Sequence, residues 1–351
     1  MREHLEKDLK MSFSYSDPCL YFIQDEKGSL KELVGLYVDD TICAGTEDFL
    51  TLTNTTMKKF QSRDRKFDEI QFTGIFINGE KEQVSLHQSP YIELLEPIPS
   101  NSSFKQYASS RAKLAWLTHT RPDISCLTSF AAQITEKSFS EKDINDLNRG
   151  IRHLKLSKNQ HLMFKPLDMN KLVLKAYADS SFANNTDLTC QLGHIIVLSD
   201  YKQANILSYA SKKGKRVVRS ILAGETHAFA EAFDISFTIK KDLERILNIE
   251  IPLHMFTDSK QLFDVITKNT FTAEKRLMID VYSIRNAFNA RDITNVGHVK
   301  SENNPADPFT KLCSNKCLTG LIENNETNMP VEQWVFRIYR KSTYATLKDA
   351  E

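Results

Sequence analysis

The sequence predicts a mixed α+β and α/β chain: an α+β unit, a helical stretch, then a mixed sheet with helices packed on it. Three observations predict this. Apolar residues switch between strand-like alternation and helical spacing along the chain. The Pro/Ser/Asn-rich stretch PIPSNSSFK reads as a linker between the first unit and the helical stretch. After Pro166 the order is three strands, a long helix, a strand, helices, a strand and a helix, which describes one sheet with helices on it.

A short amphipathic helix over residues 3–10 comes first and precedes CLYFIQDEKGSLKELVGLYVDDTICAG. That stretch holds two apolar strands around a turn at Lys27-Gly28, then a hairpin turning at Asp39-Asp40. A helix is expected over 47–60, then two strands, IQFTGIFIN and QVSLHQ, joined by a turn containing Asn78-Gly79. Beyond the linker, YASSRAKLAWLTHT, RPDISCLTSFAAQITEK and EKDINDLNRGIRHLKLS have helical spacing, with Pro122 where a helix can start. LVLKAYADSSFA alternates like a half-buried strand, and QLGHIIVLSD and ANILSYAS are the next two strands. The long helix ETHAFAEAFDISFTIKKDLERIL stacks Phe229, Phe233 and Phe237 at four-residue steps on one face. PLHMFTDS is a strand, AEKRLMIDVYSIRNAFNA a helix and ITNVGHV the last strand before NNPADPFTK. The tail beyond Leu312 has no assigned role.

With 351 residues the chain has length for two or three domains, divided here as 1–100, 101–166 and 167–315, with a tail at 316–351. Its formal net charge is +1, so a nucleic-acid partner would be met by local basic patches and not by a global field. No apolar run is long enough to cross a bilayer, and MREHLEKDLKMSF lacks the apolar core of a signal peptide. The expectation is no membrane partner and an intracellular location, cytoplasmic or nuclear. The six cysteines are scattered, and Cys313 and Cys317 lack a second pair or a His cluster for a zinc site, so free thiols are expected.

Four acids fall at element ends in this layout. Asp179 closes the first strand of the C-terminal sheet and Asp258 the fourth. A crossover through the long helix would set those strands parallel and side by side, with both carboxylates at one edge. Glu225 lies in the first turn of the long helix, and Asp307 comes just after Pro305 at the start of the last. Crowded carboxylates repel and raise one another's pKa, and such a cluster usually survives by holding cations. Hard oxygen ligands suit Mg²⁺ or Mn²⁺. Two such ions about 3.5–4 Å apart can activate a water and stabilise the leaving oxygen of a phosphodiester. Taken one at a time, each acid reads as a solvated surface charge or a helix cap, and for Asp307 composition alone favours the cap.

The text around each acid decides between these. YADSSFAN, SILAGETHAFAEA, MFTDSK and NNPADPFTK, in this order and spacing, resemble the ribonuclease H domain of copia-type LTR retrotransposon polyproteins. The resemblance implies a ribonuclease H fold, a five-stranded mixed sheet flanked by helices. It also implies cleavage of RNA in RNA–DNA hybrids, with two Mg²⁺ (or Mn²⁺) ions held by Asp179, Glu225, Asp258 and Asp307. Glu225 takes the helical acid's place; the family's context there is Ser-x-x-Glu-Ala-Glu-Tyr, and here the upstream acid is replaced by Ala223. His298 stands near the last acid and reads either as an assistant in product release or as a structural strand-end histidine. The run KKGKRVVR, with Lys212, Lys213, Lys215, Arg216 and Arg219, reads either as a solvated loop or as point charges for hybrid phosphates.

Tyr37-Val38-Asp39-Asp40 resembles the polymerase palm hairpin of reverse transcriptases, whose paired aspartates bind metals. FTGIFI with VSLHQSPYI, and THTRPDIS, resemble the segments beyond that hairpin in the copia-type family, extending the resemblance over residues 2–312. It implies a partial palm over 1–100, a helical connection over 101–166 and a ribonuclease H domain over 167–315. The third palm aspartate and the fingers precede this segment in the family, so Asp39 and Asp40 are expected to be a remnant site without independent DNA polymerase activity. The alternatives are a catalytically silent nucleic-acid-binding protein descended from such an element, or a polymerase completed by an upstream fragment on another chain.

Overall fold

The structure, a computed structural model, describes residues 2–51, 66, 69–80, 82–268, 274–326 and 329–336, whose strands form three sheets. The first is an antiparallel sheet of β1 (Ser12–Phe13), β2 (Leu20–Gln24), β3 (Leu30–Tyr37) and β4 (Asp40–Gly45) in sequence order. Asp25 makes the β2–β3 turn by accepting the backbone N–H groups of Lys27 and Ser29, and Gly28 supplies the positive φ of +80°. The next hairpin turns one residue earlier than expected. Tyr37 pairs with Asp40, so its loop is Val38-Asp39, and Val38 holds φ +51°, a conformation β-branched residues rarely adopt.

The second sheet is antiparallel: β5 (Glu69–Phe72), β6 (Ile75–Glu80), β7 (Gln83–His87) and β8 (Leu162–Phe164). IQFTGIFIN is therefore a hairpin and not one strand. Thr73 and Gly74, with φ +52° and +79°, form a two-residue loop of the hand that matches strand twist. Asn78-Gly79 is not a turn either: both pair inside the β6–β7 ladder, which closes at Glu80 and Gln83.

The first helix, α1 (Arg2–Lys7), stops short of residue 10. Of the helix expected over 47–60, residues 47–51 are helical and the remainder lies outside the described residues. Helices α2 (Ser89–Glu93), α3 (Phe104–Leu117), α4 (Ser125–Gln133) and α5 (Glu141–Leu156) come next. Ser103 starts α3 with a capping box closed by Gln106. The linker-like stretch is pinned to α5: the Asn148 side chain accepts from Ile98 N and donates to Ile98 O. The Thr-Arg-Pro-Asp motif makes a buried knot. Arg121, 1% exposed, forks onto Asp123 at 2.9 and 2.6 Å and donates to Ser157 O and Oγ. Burial alone would raise the Asp123 carboxyl, but His153 and Arg121 bring it down to about 2.

The third sheet has strand order β11-β10-β9-β12-β13-β14, comprising β9 (Val173–Ser181), β10 (Gln191–Ser199), β11 (Ala204–Lys213), β12 (Leu253–Thr257), β13 (Asn295–Val299) and β14 (Val331–Phe336). β9, β10 and β11 are antiparallel, β12 runs parallel to β9, and β13 runs parallel to β12. This is the mixed sheet that the ribonuclease H resemblance implies, with a sixth strand, β14, added antiparallel to β13. α6 (Ile221–Leu247), α7 (Lys260–Lys268) and α8 (Met278–Ala290) cover one face, burying Phe229 and Phe233 against Leu174, Ala176, Ala178 and Met255.

β9 is not half-buried. Its other face, with Tyr177, packs on Phe256, Phe309 and the Leu318, Leu321 and Ile322 side chains of α9 (Lys316–Asn324). Segments of the tail that carried no assigned role thus form part of this core and one edge of its sheet. Among the described residues, no helix is long and apolar enough to cross a membrane.

Candidate active site

Register places the first two acids. Phe256 lies level with Tyr177 in the parallel β9–β12 pair, so two residues further on Asp258 and Asp179 come level at the carboxyl edge. Glu225 arrives from α6, whose cap is Ser220: its Oγ accepts Ala223 N–H. The helix starts at Ile221, so Glu225 sits in its second turn and not its first. α6 can approach β9 this closely because position 224 is glycine. A Cβ there would lie 2.6 Å from Ser180 Oγ and 3.1 Å from Cys190 Sγ. Ala223 is buried in the apolar core, where an acid would be costly.

Asp179, Glu225 and Asp258 each offer an oxygen within 4.8 Å of the others, the one such three-acid group among the described residues. Asp179 is 2% and Glu225 5% exposed, while Asp258 is half-buried. Burial, then the Asp258 charge, pushes the Asp179 carboxyl up to about 7. Burial, then Asp179 and Asp258, pushes Glu225 up to about 9. Glu225 Oε2 is buried without a hydrogen-bond partner. An acid cluster that is short of positive charge and carries an orphaned carboxylate oxygen fits a hard divalent cation.

Around this cluster stand groups that sequence reading missed. Thr310 Oγ1 donates to Asp179 Oδ2, and Ser301 Oγ donates to Asp258 Oδ2 at 2.5 Å. Asn304 Nδ2 donates to Ala178 O at 3.0 Å, tying the 304–310 segment to β9. Gly193 on β10 admits that segment, since a Cβ there would lie 2.7 Å from Phe309 Cβ and 2.9 Å from Thr310 Cγ2. Helix α4 braces the same segment: Gln191 Nε2 donates to Ser129 Oγ and Ser211 Oγ, and Ser211 Oγ donates to Phe309 O.

Asp307 lies beside the cluster and outside the three-acid group. It opens a 3-10 turn, Asp307–Phe309, and not the last helix, and its side chain caps nothing. Lys311 Nζ donates to Asp307 Oδ1, and Cys313 Sγ lies 3.1 Å from Oδ2. His298, on β13, reaches Asp258 through the backbone: Nε2 stands 3.2 Å from the Asp258 carbonyl, as a donor in that tautomer.

In the basic run, Lys212 pairs with Glu231, and Lys213 Nζ pairs with Asp187 at 2.7 Å. Lys215, Arg216 and Arg219 are exposed on the loop beyond β11. Asp39 and Asp40 are exposed on the β3–β4 hairpin and are not part of the three-acid group. All six cysteines are free thiols.

No family model matches the sequence, and no curated protein matches it either. Among solved structures, the chain is similar to RNase H1 from the halophilic archaeon Halobacterium salinarum, at 17% identity and TM-score 0.31, over 42% of this chain and 97% of that one. It is similar to LC11-RNase H1, isolated from compost by a metagenomic approach, at 18% identity and TM-score 0.32, over 43% and 99%. It is also similar to the foamy viral protease-reverse transcriptase solved with an RNA/DNA hybrid, at 13% identity and TM-score 0.41. That match covers 74% of this chain and spans about a third, 35%, of the viral one.

Proposed function

We propose that this chain is a metal-dependent nuclease of ribonuclease H type, cleaving the RNA strand of RNA–DNA hybrids, and that it descends from a copia-type retrotransposon polyprotein. The observation that carries the reading is the convergence of Asp179, Glu225 and Asp258, from three separate elements, within 4.8 Å at one end of the mixed sheet. A buried Glu225 Oε2 without a partner is a costly feature to maintain without a ligand.

In this reading the three acids would hold a first divalent ion, and Asp307 with Asp179 would hold a second. Bound there, Mg²⁺ or Mn²⁺ would lower the pKa of water and stabilise the phosphate's developing charge. The chain's own residues set the geometry. Thr310 orients the Asp179 carboxylate, Ser301 orients Asp258, and His298 fixes the backbone of Asp258. Lys215 and Arg216 offer exposed charge for hybrid phosphates, while Lys212 and Lys213 would first have to leave Glu231 and Asp187. Residues 1–100 are read as a partial palm with Asp39 and Asp40 as its remnant metal site, 101–166 as a connection, and 167–315 as the nuclease, braced by the tail.

The test is cleavage of a labelled RNA–DNA hybrid by the full chain, with Mg²⁺, with EDTA, and with Asp258→Asn. Metal-dependent cleavage lost in the variant is the expected result. A folded wild-type chain that binds the hybrid and leaves it intact in both Mg²⁺ and Mn²⁺ would instead support a silent nucleic-acid-binding protein.

A further inference from the structure

Asp307 has a donor on both carboxylate oxygens, Lys311 on one and Cys313 on the other. Lys311 reaches it from one turn on, and the same ammonium lies 3.8 Å from Asp179 Oδ2. A single positive charge thus bridges the acid that belongs to the three-acid group and the acid that stands outside it. The contrast with Glu225, whose Oε2 has no partner, divides the site into an open arm and a closed one. Lys311 is held there but not entombed: its side chain is 45% exposed, so the ammonium can leave without disturbing the core.

We propose that Lys311 is a resident counter-cation that holds the Asp307 arm closed, so that the free protein takes one divalent ion at Asp179, Glu225 and Asp258, and a second only after Lys311 has released Asp307. The proposal rests on the metal-nuclease reading and specifies how its two ions are loaded. A lysine is suited to the part, since its compact charge sits on a flexible stem and forms no fixed fork with the carboxylate. Two cations cannot share one carboxylate pair without repulsion, so the second ion must compete with the ammonium.

Binding of Mn²⁺ to the full chain, counted by electron paramagnetic resonance, tests this without any activity. The wild type is expected to bind one ion and to take a second at least tenfold more weakly. In Lys311→Met the second ion should tighten at least tenfold, and Lys311→Arg should restore the wild-type gap. Equal second-ion affinity in wild type and Lys311→Met would overturn the proposal while leaving the metal site standing. No bound Mn²⁺ in any of the proteins would overturn both. A variant-free measurement covers the case in which Lys311→Met does not fold. Acetylation of Lys311 in the wild type, read by mass spectrometry, should be slow in EDTA and several-fold faster in saturating Mn²⁺. An unchanged rate when two ions are bound would overturn the proposal.

Discussion

Replacing Asp179 by asparagine should stabilise the metal-free protein at alkaline pH, although it removes a candidate metal ligand. In the folded chain burial and the Asp258 charge push the Asp179 carboxyl from 3.8 up to about 7. Between those values the folded state keeps a proton that the unfolded chain has released. Stability therefore falls as pH rises through this window, and the loss is complete above about pH 7. At about 1.4 kcal/mol per pH unit, the deficit is about 4 kcal/mol at pH 8 and well under half of that at pH 5. Asparagine carries no such penalty and can still accept the Thr310 hydroxyl. Removing the Asp179 charge also relieves Glu225, which acts in the same direction. Hydrogen exchange of the β9 peptide in EDTA reads this opening locally, unaffected by the other sheets. Asp179→Asn should slow that exchange strongly at pH 8 and weakly at pH 5, and Mg²⁺ should protect the wild type only. Equal or faster exchange in the variant at pH 8, or the same difference at both pH values, would refute the electrostatic argument.

Other perturbations probe the scaffold. Arg121→Ala takes the guanidinium from Asp123, which keeps only His153, and from Ser157, and should cost about 3–5 kcal/mol in urea unfolding monitored by circular dichroism, with Arg121→Lys recovering only part of it. Gly224→Val should force α6 away from Ser180 and Cys190, costing about 1–3 kcal/mol and weakening Mn²⁺ binding through displaced Glu225; unchanged binding would contradict the close-approach account. Ending the chain after Asn315 removes Leu318, Leu321 and Ile322 from beneath Phe309, each worth about 1.5–3 kcal/mol when buried, so the melting temperature and Mn²⁺ affinity should both drop.

The placement of Asp179 and Asp258 is legible because strand ends can be located from periodicity, and parallel pairing of β9 and β12 needs only one crossover. The long helix is legible from Phe229, Phe233 and Phe237, although its start is hidden because Ser220 is an inconspicuous cap. Other features lack a local signal. β8 is three residues long and owes its existence to β7, a strand far back in the chain that sets Leu86 opposite Leu162. β14 has little burial pattern of its own and exists by pairing with β13. Thr73-Gly74 escapes a periodic reading because apolar residues flank it on both sides, so the run looks like one strand. Within the site, Lys311 stands four residues after Asp307, the spacing of an ion pair across one turn, but nothing in the NNPADPFTK text reveals that Thr310 contacts Asp179. Long-range contacts of short side chains are set by packing, which a periodic pattern does not encode.

The most direct measurement of the central claim is cleavage of a 5′-labelled RNA strand paired to DNA by the full chain in Mg²⁺. Fragments ending in 3′-OH are expected, lost in EDTA and in Asp258→Asn, with the unpaired RNA left uncut. Cleavage that persists undiminished in Asp258→Asn, or that proceeds in EDTA, would contradict it.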